Sequence, residues 1–578
     1  MASLSFLRPT PPSTLETSSR YKWVALAIVT TGMLMATIDS SIVLIAMPAI
    51  FRGIGMDPLQ PGNSFYLLWM MLGFLIVTSV LVVSLGRLGD MYGRVRIYNA
   101  GFALFTLFSA ALSVTWMHGR AAGWWLVIMR LFQALGAAML MSNSSAILTD
   151  AFPAHQRGLA MGANQAAAFS GSFIGLIVGG LLAPFDWHLI FLVSVPVGIA
   201  GTYFGYRSLR ELGERHRARI DWWGNLTFAL GLVSLMVGLT YGIQSYGGHP
   251  MGWTSPLVRG GIILGVTLLA VFVVMERRIA EPMFRLPLLK IRAFTSGVAA
   301  SFLAALSRGG LMFLLVIWLQ GIWLPEHGYD FARTPLWAGV AMIPLTVGML
   351  ISGPLSGYLS DRFGPRPFAT GGMIGTAGCF LALQLIPVDF SYPVFGLVLF
   401  LTGLCMAAFG SPNRAGVMNA LPPRERGVGS GMYTTFQNSA QVFSIGLFFT
   451  LLIVGLSASL STQLDAGLLA HGVSPLDAAR ASHLPPIATL FAAFLGVNPV
   501  AHLLGAHGLA SLTAAQRATL TGHSFFPHLI QNSFHTGLRW ALDFAIGASL
   551  LAALASWVRG ERVPLEELSR PGEVLVTD

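Results

Sequence analysis

The chain has 578 residues, of which 54% are hydrophobic and only 10% are charged, and its mean hydropathy is +0.69. About a quarter of the residues of a soluble domain are charged, so this composition excludes a soluble protein and indicates an integral membrane protein. The two cysteines, Cys379 and Cys405, lie in apolar stretches and suggest neither a disulfide framework nor a zinc site. In a membrane protein the net charge of +10 is interpreted loop by loop, and we expect no nucleic-acid partner.

Fourteen apolar stretches recur along the chain, each about 20 residues or longer, which is enough to cross the hydrocarbon core of a bilayer. The first is too long for a cleavable signal peptide, so we predict that it is retained as a span. We therefore predict an all-α polytopic membrane protein with 14 transmembrane helices. The stretches lie at approximately 23–50, 65–86, 97–116, 122–148, 158–183, 187–206, 222–244, 257–275, 294–323, 336–358, 367–387, 392–412, 429–457 and 534–558.

The distribution of basic residues supports this count. With the N-terminus inside, 25 of the 34 lysines and arginines fall in the terminal segments and the inner connections, where cytoplasmic loops concentrate positive charge. We therefore expect a multi-pass protein of a bacterial cell membrane with both termini in the cytoplasm. The six basic residues of the outer connections are Arg52, Arg120, Arg259, Arg333, Arg480 and Arg517.

Span 1 contains an acidic residue, Asp39, well inside the apolar stretch ATIDSSIVLIAMP (36–48). A charged carboxylate near the centre of a membrane helix costs roughly 2.5 to 3.5 kcal/mol on insertion scales, and binding a proton removes that cost. Because intramembrane acids are usually functional, we predict a role for Asp39 in proton coupling or substrate contact. The alternative is a structural aspartate that is hydrogen-bonded to Thr37, Ser40 or Ser41 or exposed to a water-filled cavity.

The connection between spans 2 and 3 is repeated between spans 10 and 11. GRLGDMYGRVR (86–96) and GYLSDRFGPRP (357–367) share the pattern G-x-L-x-D-x-x-G followed by a basic residue. The glycines permit a tight turn, and the aspartate can pair with an arginine or with the positive end of a helix. Two copies in register indicate a duplicated secondary transporter and favour a conformational gating loop over an ordinary charged turn. The residues are Gly86, Asp90, Gly93 and Arg94 in the first copy and Gly357, Asp361 and Gly364 in the second.

Three further stretches complete a resemblance to a known family. They are RLFQALGAA (130–138), TDAFPAHQRGLAMG (149–162) and WHLIFLVSVPVGI (187–199). Together with the span 1 element and the paired loops, they resemble the major facilitator superfamily and, among its members, the fourteen-span drug:proton antiporters. The resemblance covers nearly the whole chain and implies two six-helix halves with two inserted linker helices. It also implies a proton-transfer role for Arg130, which could tune the proton affinity of Asp39; a structural or snorkelling arginine is the alternative.

The resemblance leads us to divide the chain into three parts. Residues 1–207 form the N-terminal six-span half, 208–292 hold the linker with spans 7 and 8, and 293–578 form the C-terminal half. The C-terminal half includes a long outer connection, 458–533, whose apolar segment 485–505 contains prolines. We expect this segment to lie on the outer membrane surface or to cap the bundle. Seven of the 13 histidines fall between 471 and 535, but their spacings match no metal-binding motif and we predict no metal site.

Span 5 departs from the antiporter pattern in GSFIGLIVGG (171–180), where Leu176 stands in place of the usual proline. Its glycines remain, and three of them are spaced by four residues and share a helix face. We therefore predict close helix packing without the proline bend. These glycines are Gly171, Gly175, Gly179 and Gly180.

Polar residues also interrupt spans 9 and 13. Arg308 lies roughly 15 residues into span 9, where it could meet an anionic substrate or form a structural ion pair, and Asp543 in span 14 is a candidate partner. In span 13, Gln437 and Gln441 lie four residues apart on one face and could line a polar cavity or bond neighbouring helices.

Other classes of function are disfavoured. The chain has no G-x-x-x-x-G-K-[ST] element for ATP-driven export by itself. A membrane-embedded enzyme would need a convergent nucleophile and base, or a His/Glu metal cluster, within the spans, whereas the histidines lie mostly in loops. We therefore predict a non-enzymatic, proton-coupled exporter of lipophilic or amphipathic small molecules that needs no cofactor because the proton gradient drives it. The expected partners are the lipid bilayer, the substrate and protons, and a partner at the outer face is left open. The alternatives are export of a lipid or an endogenous metabolite, or uncoupled facilitation.

Overall fold

The structure is a computed structural model. It describes residues 19–56, 63–153, 156–212, 221–242, 246–247, 251–279, 282, 284–331, 333–422, 426–482, 484–496, 498–510, 512–522 and 524–559. In these ranges, 13 helices are long and apolar enough to cross a membrane, and span 2 becomes the fourteenth when its two segments, bent by 46°, are counted together. The predicted set of 14 spans is confirmed.

The spans are named by their order in the chain. The first seven are Ser19–Gly53, Ser64–Tyr92, Arg94–Ser113, Gly119–Ala151, Arg157–Leu182, Leu189–Leu192 with Ser194–Ser208, and Trp222–Gly242. Span 8 is Pro256–Glu276, and span 9 is broken into Arg292–Arg308, Leu311–Trp318, a π-helical turn Leu319–Trp323 and Leu324–Glu326. The last five are Thr334–Ala341 with Ile343–Phe363, Pro365–Leu385, Tyr392–Asn419, Arg426–Ser457 and Phe525–Trp557.

The spans are arranged as two six-helix halves. Spans 1 to 6 pack on one another, spans 9 to 14 do the same, and spans 7 and 8 pair with each other, with span 7 also packing against spans 2 and 13. The predicted fold class is therefore confirmed. We call the side on which span 1 begins and span 14 ends the terminal side, and the opposite side the cap side.

The connection between spans 13 and 14 forms a helical cap with its own apolar core, which includes Leu464, Leu504 and Phe526. One of its helices, Pro486–Leu495, is buried along almost its whole length. This inserted helix contacts spans 1 and 2 of the first half and spans 9 and 13 of the second. The apolar segment at 485–505 therefore caps the bundle instead of lying on the membrane surface. The cap helices in the described ranges are Leu460–Ala470, Pro475–Ala481, Pro486–Leu495, Val500–Ala510 and Ala514–Leu520.

The two halves are in contact on the cap side. Gly180, at the cap-side end of span 5, lies directly against the backbone of Leu336 at the start of span 10. One turn away, Gly339 of span 10 faces the backbone of Leu176. Small residues permit such a close approach of two helix backbones, so spans 5 and 10 close this side of the bundle together with the inserted helix.

Candidate functional site

Asp39 of span 1 and Arg130 of span 4 form an ion pair in the interior of the first half. The Arg130 Nη1 donates to Asp39 Oδ2, and Nη2 donates to the backbone carbonyl of Asp39 at 3.4 Å. Asp39 is 0% exposed and Arg130 is 2% exposed. The two residues that the sequence predicts for proton coupling are therefore in direct contact and sealed from solvent.

Gln133 and Ser109 extend the pair into a buried network. Gln133 Nε2 donates to the second carboxylate oxygen, Asp39 Oδ1, at 2.9 Å and to Ser109 Oγ at 2.8 Å, while its Oε1 accepts from Arg130 Nη1 at 2.6 Å. Both carboxylate oxygens of Asp39 therefore have a donor. Such additional hydrogen bonds are what allow an ion pair to persist in a low-dielectric interior.

The guanidinium group of Arg130 also lies over an aromatic ring. Its Cζ is 4.3 Å from the ring centroid of Phe74 in span 2, a cation–π contact. Its Nε has no hydrogen-bond partner in the described structure. Arg130 thus depends on the Asp39 carboxylate for most of its compensation. A proton bound to Asp39 would remove that negative charge and leave the arginine under-compensated.

The structure does not support the hydroxyl-bonded alternative for Asp39. The Thr37 hydroxyl donates to the carbonyls of Met33 and Leu34 in its own helix. Gln133 and Ser109 were not predicted as members of the site. The sequence did contain a signal for Gln133, because it follows Arg130 by three residues and the two side chains therefore lie on the same face of span 4. The sequence contains no such signal for Ser109.

Span 1 is held in place by the glycine face of span 5. A methyl group added at Gly171, Gly175 or Gly179 would overlap atoms of span 1, so the two helices are in close contact. The predicted packing role of the glycines agrees with this geometry, and Gly180 serves the contact with span 10. The facing residues are Thr37 for Gly171, the Ile38 carbonyl for Gly175, and Ile42 for Gly179.

The predicted gating loop between spans 2 and 3 contains a network centred on Arg94. Its Nε donates to Asp90 at 2.8 Å, as the sequence predicts, and its Nη1 donates to Asp150 at the end of span 4 at 2.7 Å. Glu211, which follows span 6, accepts from the backbone N–H of Arg94 at 2.9 Å and of Val95 at 3.2 Å. This carboxylate caps the first turn of span 3, where the helix dipole favours negative charge. The loop therefore ties four spans together on the terminal side.

The second copy of the loop has the same backbone geometry. Gly93 and Gly364 both have positive φ, at 114° and 87°, and each separates two helices. Only glycine adopts this conformation readily, so the turn requires glycine at 93 in the first copy and at 364 in the second. The side chain of Asp361 lies outside the described part of the structure. The first glycines also correspond, since Gly86 faces Ser142 of span 4 and Gly357 faces Ser411 of span 12.

The remaining predicted residues lie apart from the buried network. Arg308 ends the first helical segment of span 9. Gln437 is half-buried and Gln441 is exposed in mid-span, and the described structure shows no hydrogen bond from either side chain. Asp543 accepts from Gln384 Nε2 at 2.7 Å and does not pair with Arg308. Within the described ranges, no three His, Cys, Asp or Glu side chains come close enough to hold a metal ion.

Comparisons with known proteins identify the family. Residues 29–445 match the Major Facilitator Superfamily. The riboflavin transporter RibZ of Clostridioides difficile (strain 630) is 28% identical over 74% of this chain and 88% of its own length. The tetracenomycin C resistance and export protein of Streptomyces glaucescens is 26% identical over 92% of this chain and 90% of its own. The methyl viologen resistance protein SmvA of Salmonella typhimurium (strain LT2) is 29% identical over 87% of this chain and 94% of its own.

The matched region covers most of the chain, and these relatives include drug-resistance and export proteins. The fold, with two six-helix halves and two linker helices, agrees with the family. The chain therefore belongs to the major facilitator superfamily and is a multi-pass membrane transporter, not an enzyme.

Proposed function

We propose that the protein is a proton-coupled exporter of lipophilic or amphipathic small molecules in a bacterial cytoplasmic membrane, with its terminal side in the cytoplasm. The observation that carries the proposal is the buried network of Asp39, Arg130 and Gln133. A carboxylate that is fully compensated when ionised, and that neutralises on binding a proton, gives a helix interface with two electrostatic states.

The position of the network links protonation to the opening of the bundle. Span 1 packs on span 5, and span 5 contacts span 10 on the cap side. Span 1 also accepts a hydrogen bond across the halves, from Gln320 Nε2 of span 9 to the Ile45 carbonyl at 3.3 Å. A change in the Asp39–Arg130 pair therefore acts on the helix that helps hold the cap side closed. Alternating access requires this closed side to open in turn.

The relatives support small organic substrates. The similarity to a resistance and export protein and to a resistance protein extends over 92% and 87% of this chain. This similarity favours export as the direction of transport. The riboflavin transporter supports the second candidate, an exporter of an endogenous metabolite. Both candidates use the same helical machinery and differ only in the compound carried.

The test is transport by purified protein in liposomes with an imposed pH gradient. Riboflavin, methyl viologen and 2-naphthoate are supplied singly, and compound flux and internal pH are followed together. For at least one compound we expect wild type to move protons in exchange for it. We expect Asp39→Asn to abolish proton movement, since asparagine preserves the shape but cannot take up a proton.

Asp543→Asn is the matched control, because Asp543 is also an acid within a span but lies outside the network. Normal exchange in this control shows that loss of an acid is not harmful in itself. Compound flux without proton movement in wild type would replace the proposal with uncoupled facilitation. Undiminished exchange in a folded Asp39→Asn variant would remove Asp39 from the coupling site.

A further inference from the structure

Arg308 is a cation in mid-span that has no counter-charge in the described part of the chain. It is the seventeenth of the 35 residues of span 9, just before the helix breaks at Gly309 and Gly310. Within the described residues it makes no ion pair and no hydrogen bond. The break is held open by Ser444 of span 13, whose Oγ accepts from the Gly310 N–H at 3.0 Å and donates to the Leu306 carbonyl at 2.6 Å. Broken helices near mid-membrane commonly build substrate sites.

Arg308 is one of seven residues around a narrow cleft between spans 9, 11 and 12, which we call the Arg308 cleft; the cleft has no room for a water molecule in this structure, so a ligand must widen it. Its two hydroxyl groups already donate within their own helices, Ser307 to the Ala304 carbonyl at 2.9 Å and Thr376 to the Gly372 carbonyl at 2.8 Å. Among the lining side chains, the Arg308 guanidinium group is therefore the donor without a described hydrogen bond, and a ligand reaches it only when the cleft widens. The other walls are apolar. The lining residues are Ala304, Ser307, Arg308, Met373, Thr376, Met406 and Phe409.

The Arg308 cleft is the counterpart of the Asp39 network in the other half. The network joins spans 1, 3 and 4, which are the first, third and fourth spans of the first half; the cleft joins spans 9, 11 and 12, which hold the same places in the second. Asp39 is the twenty-first of the 35 residues of span 1, so the two charges lie at similar depths. In the network an acid neutralises the arginine. In the cleft, no described acidic side chain pairs with the arginine.

A charge inside the membrane requires a partner. The candidate acid in span 14, Asp543, is engaged by Gln384, and Asp39 is engaged by Arg130. We propose that the counter-charge comes from the substrate: Arg308 binds the anionic group of a transported amphiphile, and the substrates are organic anions with an apolar body. This inference rests on the proposed transport function and narrows its substrate class.

The chemistry of the cleft defines the ligand. A guanidinium group presents paired N–H donors that match a carboxylate, sulfonate or phosphate. Met373 and Met406 have flexible, polarizable side chains that can adapt to apolar groups of different shape. Phe409 supplies an aromatic wall. The site therefore fits one anionic group attached to an apolar or aromatic body, and it disfavours dications.

The first experiment measures binding by calorimetry in lipid nanodiscs, without any pH gradient. The probes are 2-naphthoate and 2-naphthylmethylammonium, which share the ring and have opposite charges. We expect wild type to bind the anion more tightly than the cation. Arg308→Gln should weaken anion binding about 10-fold to 100-fold, the range for losing a charge-assisted hydrogen-bonding contact, and Arg308→Lys should retain part of it. Arg539→Gln, which removes an exposed arginine of span 14, should leave binding unchanged.

A second variant keeps the test decisive if Arg308→Gln does not fold. Thr376→Asp places a carboxylate in the cleft beside Arg308, where it should pair with the guanidinium, preserve folding and exclude the anionic probe, whereas Thr376→Asn should not exclude it. Equal binding of both probes by wild type would overturn the proposal, as would unchanged anion binding in Arg308→Gln or Thr376→Asp.

The binding test is independent of proton coupling. Asp39→Asn should bind 2-naphthoate as wild type does, even though it should fail in the transport assay. Absence of proton exchange in the wild type, together with intact Arg308-dependent binding, would refute the coupling mechanism only. Equal binding of the anionic and the cationic probe by wild type, together with intact proton exchange, would refute the anion site only.

Discussion

Removing Arg130 while keeping Asp39 tests the energetics of the buried pair. Arg130→Met deletes the Asp39 Oδ2 partner and leaves the fully buried carboxylate with one donor, Gln133 Nε2 at 2.9 Å. Breaking a buried ion pair from one side costs about 3–5 kcal/mol. Removing both charges in Asp39→Asn with Arg130→Met restores a neutral interior and should cost clearly less than the sum of the single changes.

The assay is reversible unfolding of the four proteins in detergent, analysed as a double-mutant cycle. We expect a coupling free energy of about 3 kcal/mol between Asp39 and Arg130, on the scale for buried pairs. A control cycle on Gln384 and Asp543, which lie at the surface of the bundle, should give below about 1 kcal/mol, as exposed polar pairs do. Additive single changes would refute the reasoning.

Three further predictions concern helix contacts. Gly175→Val should destabilise the protein by more than about 2 kcal/mol, because the new side chain would overlap the Ile38 carbonyl and the overpacking cannot relax against backbone; a normal melting temperature would contradict the described contact of spans 1 and 5. Gly180→Ala should lower the melting temperature, because the added methyl group would overlap the backbone of Leu336 and push spans 5 and 10 apart; an unchanged melting temperature would contradict the described contact between the two halves. Phe494→Ala, in the inserted helix, should cost about 3–5 kcal/mol if this fully buried ring packs as described, and thermal unfolding with little change would contradict the buried position of the helix.

The spans themselves were predictable from the sequence. The stretch expected at 257–275 is the helix Pro256–Glu276, and the one at 367–387 is Pro365–Leu385. Such agreement has a local cause. A segment in lipid must satisfy its own backbone hydrogen bonds, so an apolar run of sufficient length forms a helix whatever its neighbours are.

Span 14 shows where this local reasoning ends. The apolar stretch was placed at 534–558, but the helix begins at Phe525. Its first turns are buried in the cap core, where Phe525, Phe526 and Ile530 pack with the loop helices. The same core draws the inserted helix into the bundle. The start of span 14 and the position of the inserted helix are both set by burial against protein. Hydropathy along the chain does not distinguish burial against protein from burial in lipid.

The sequence by itself determined which charges lie within the spans, among them Asp39, Arg130 and Arg308, and at what depth along their helices. Only the tertiary structure decided their partners. Asp39 and Arg130 meet although they are 91 residues apart, with Gln133 and Ser109 around them. Arg308, at the corresponding place in the other half, meets no acid among the residues that the structure describes. Depth follows from the distance along one helix, but pairing depends on how separate helices are rotated and packed against one another, and side chains across the whole interface fix that arrangement.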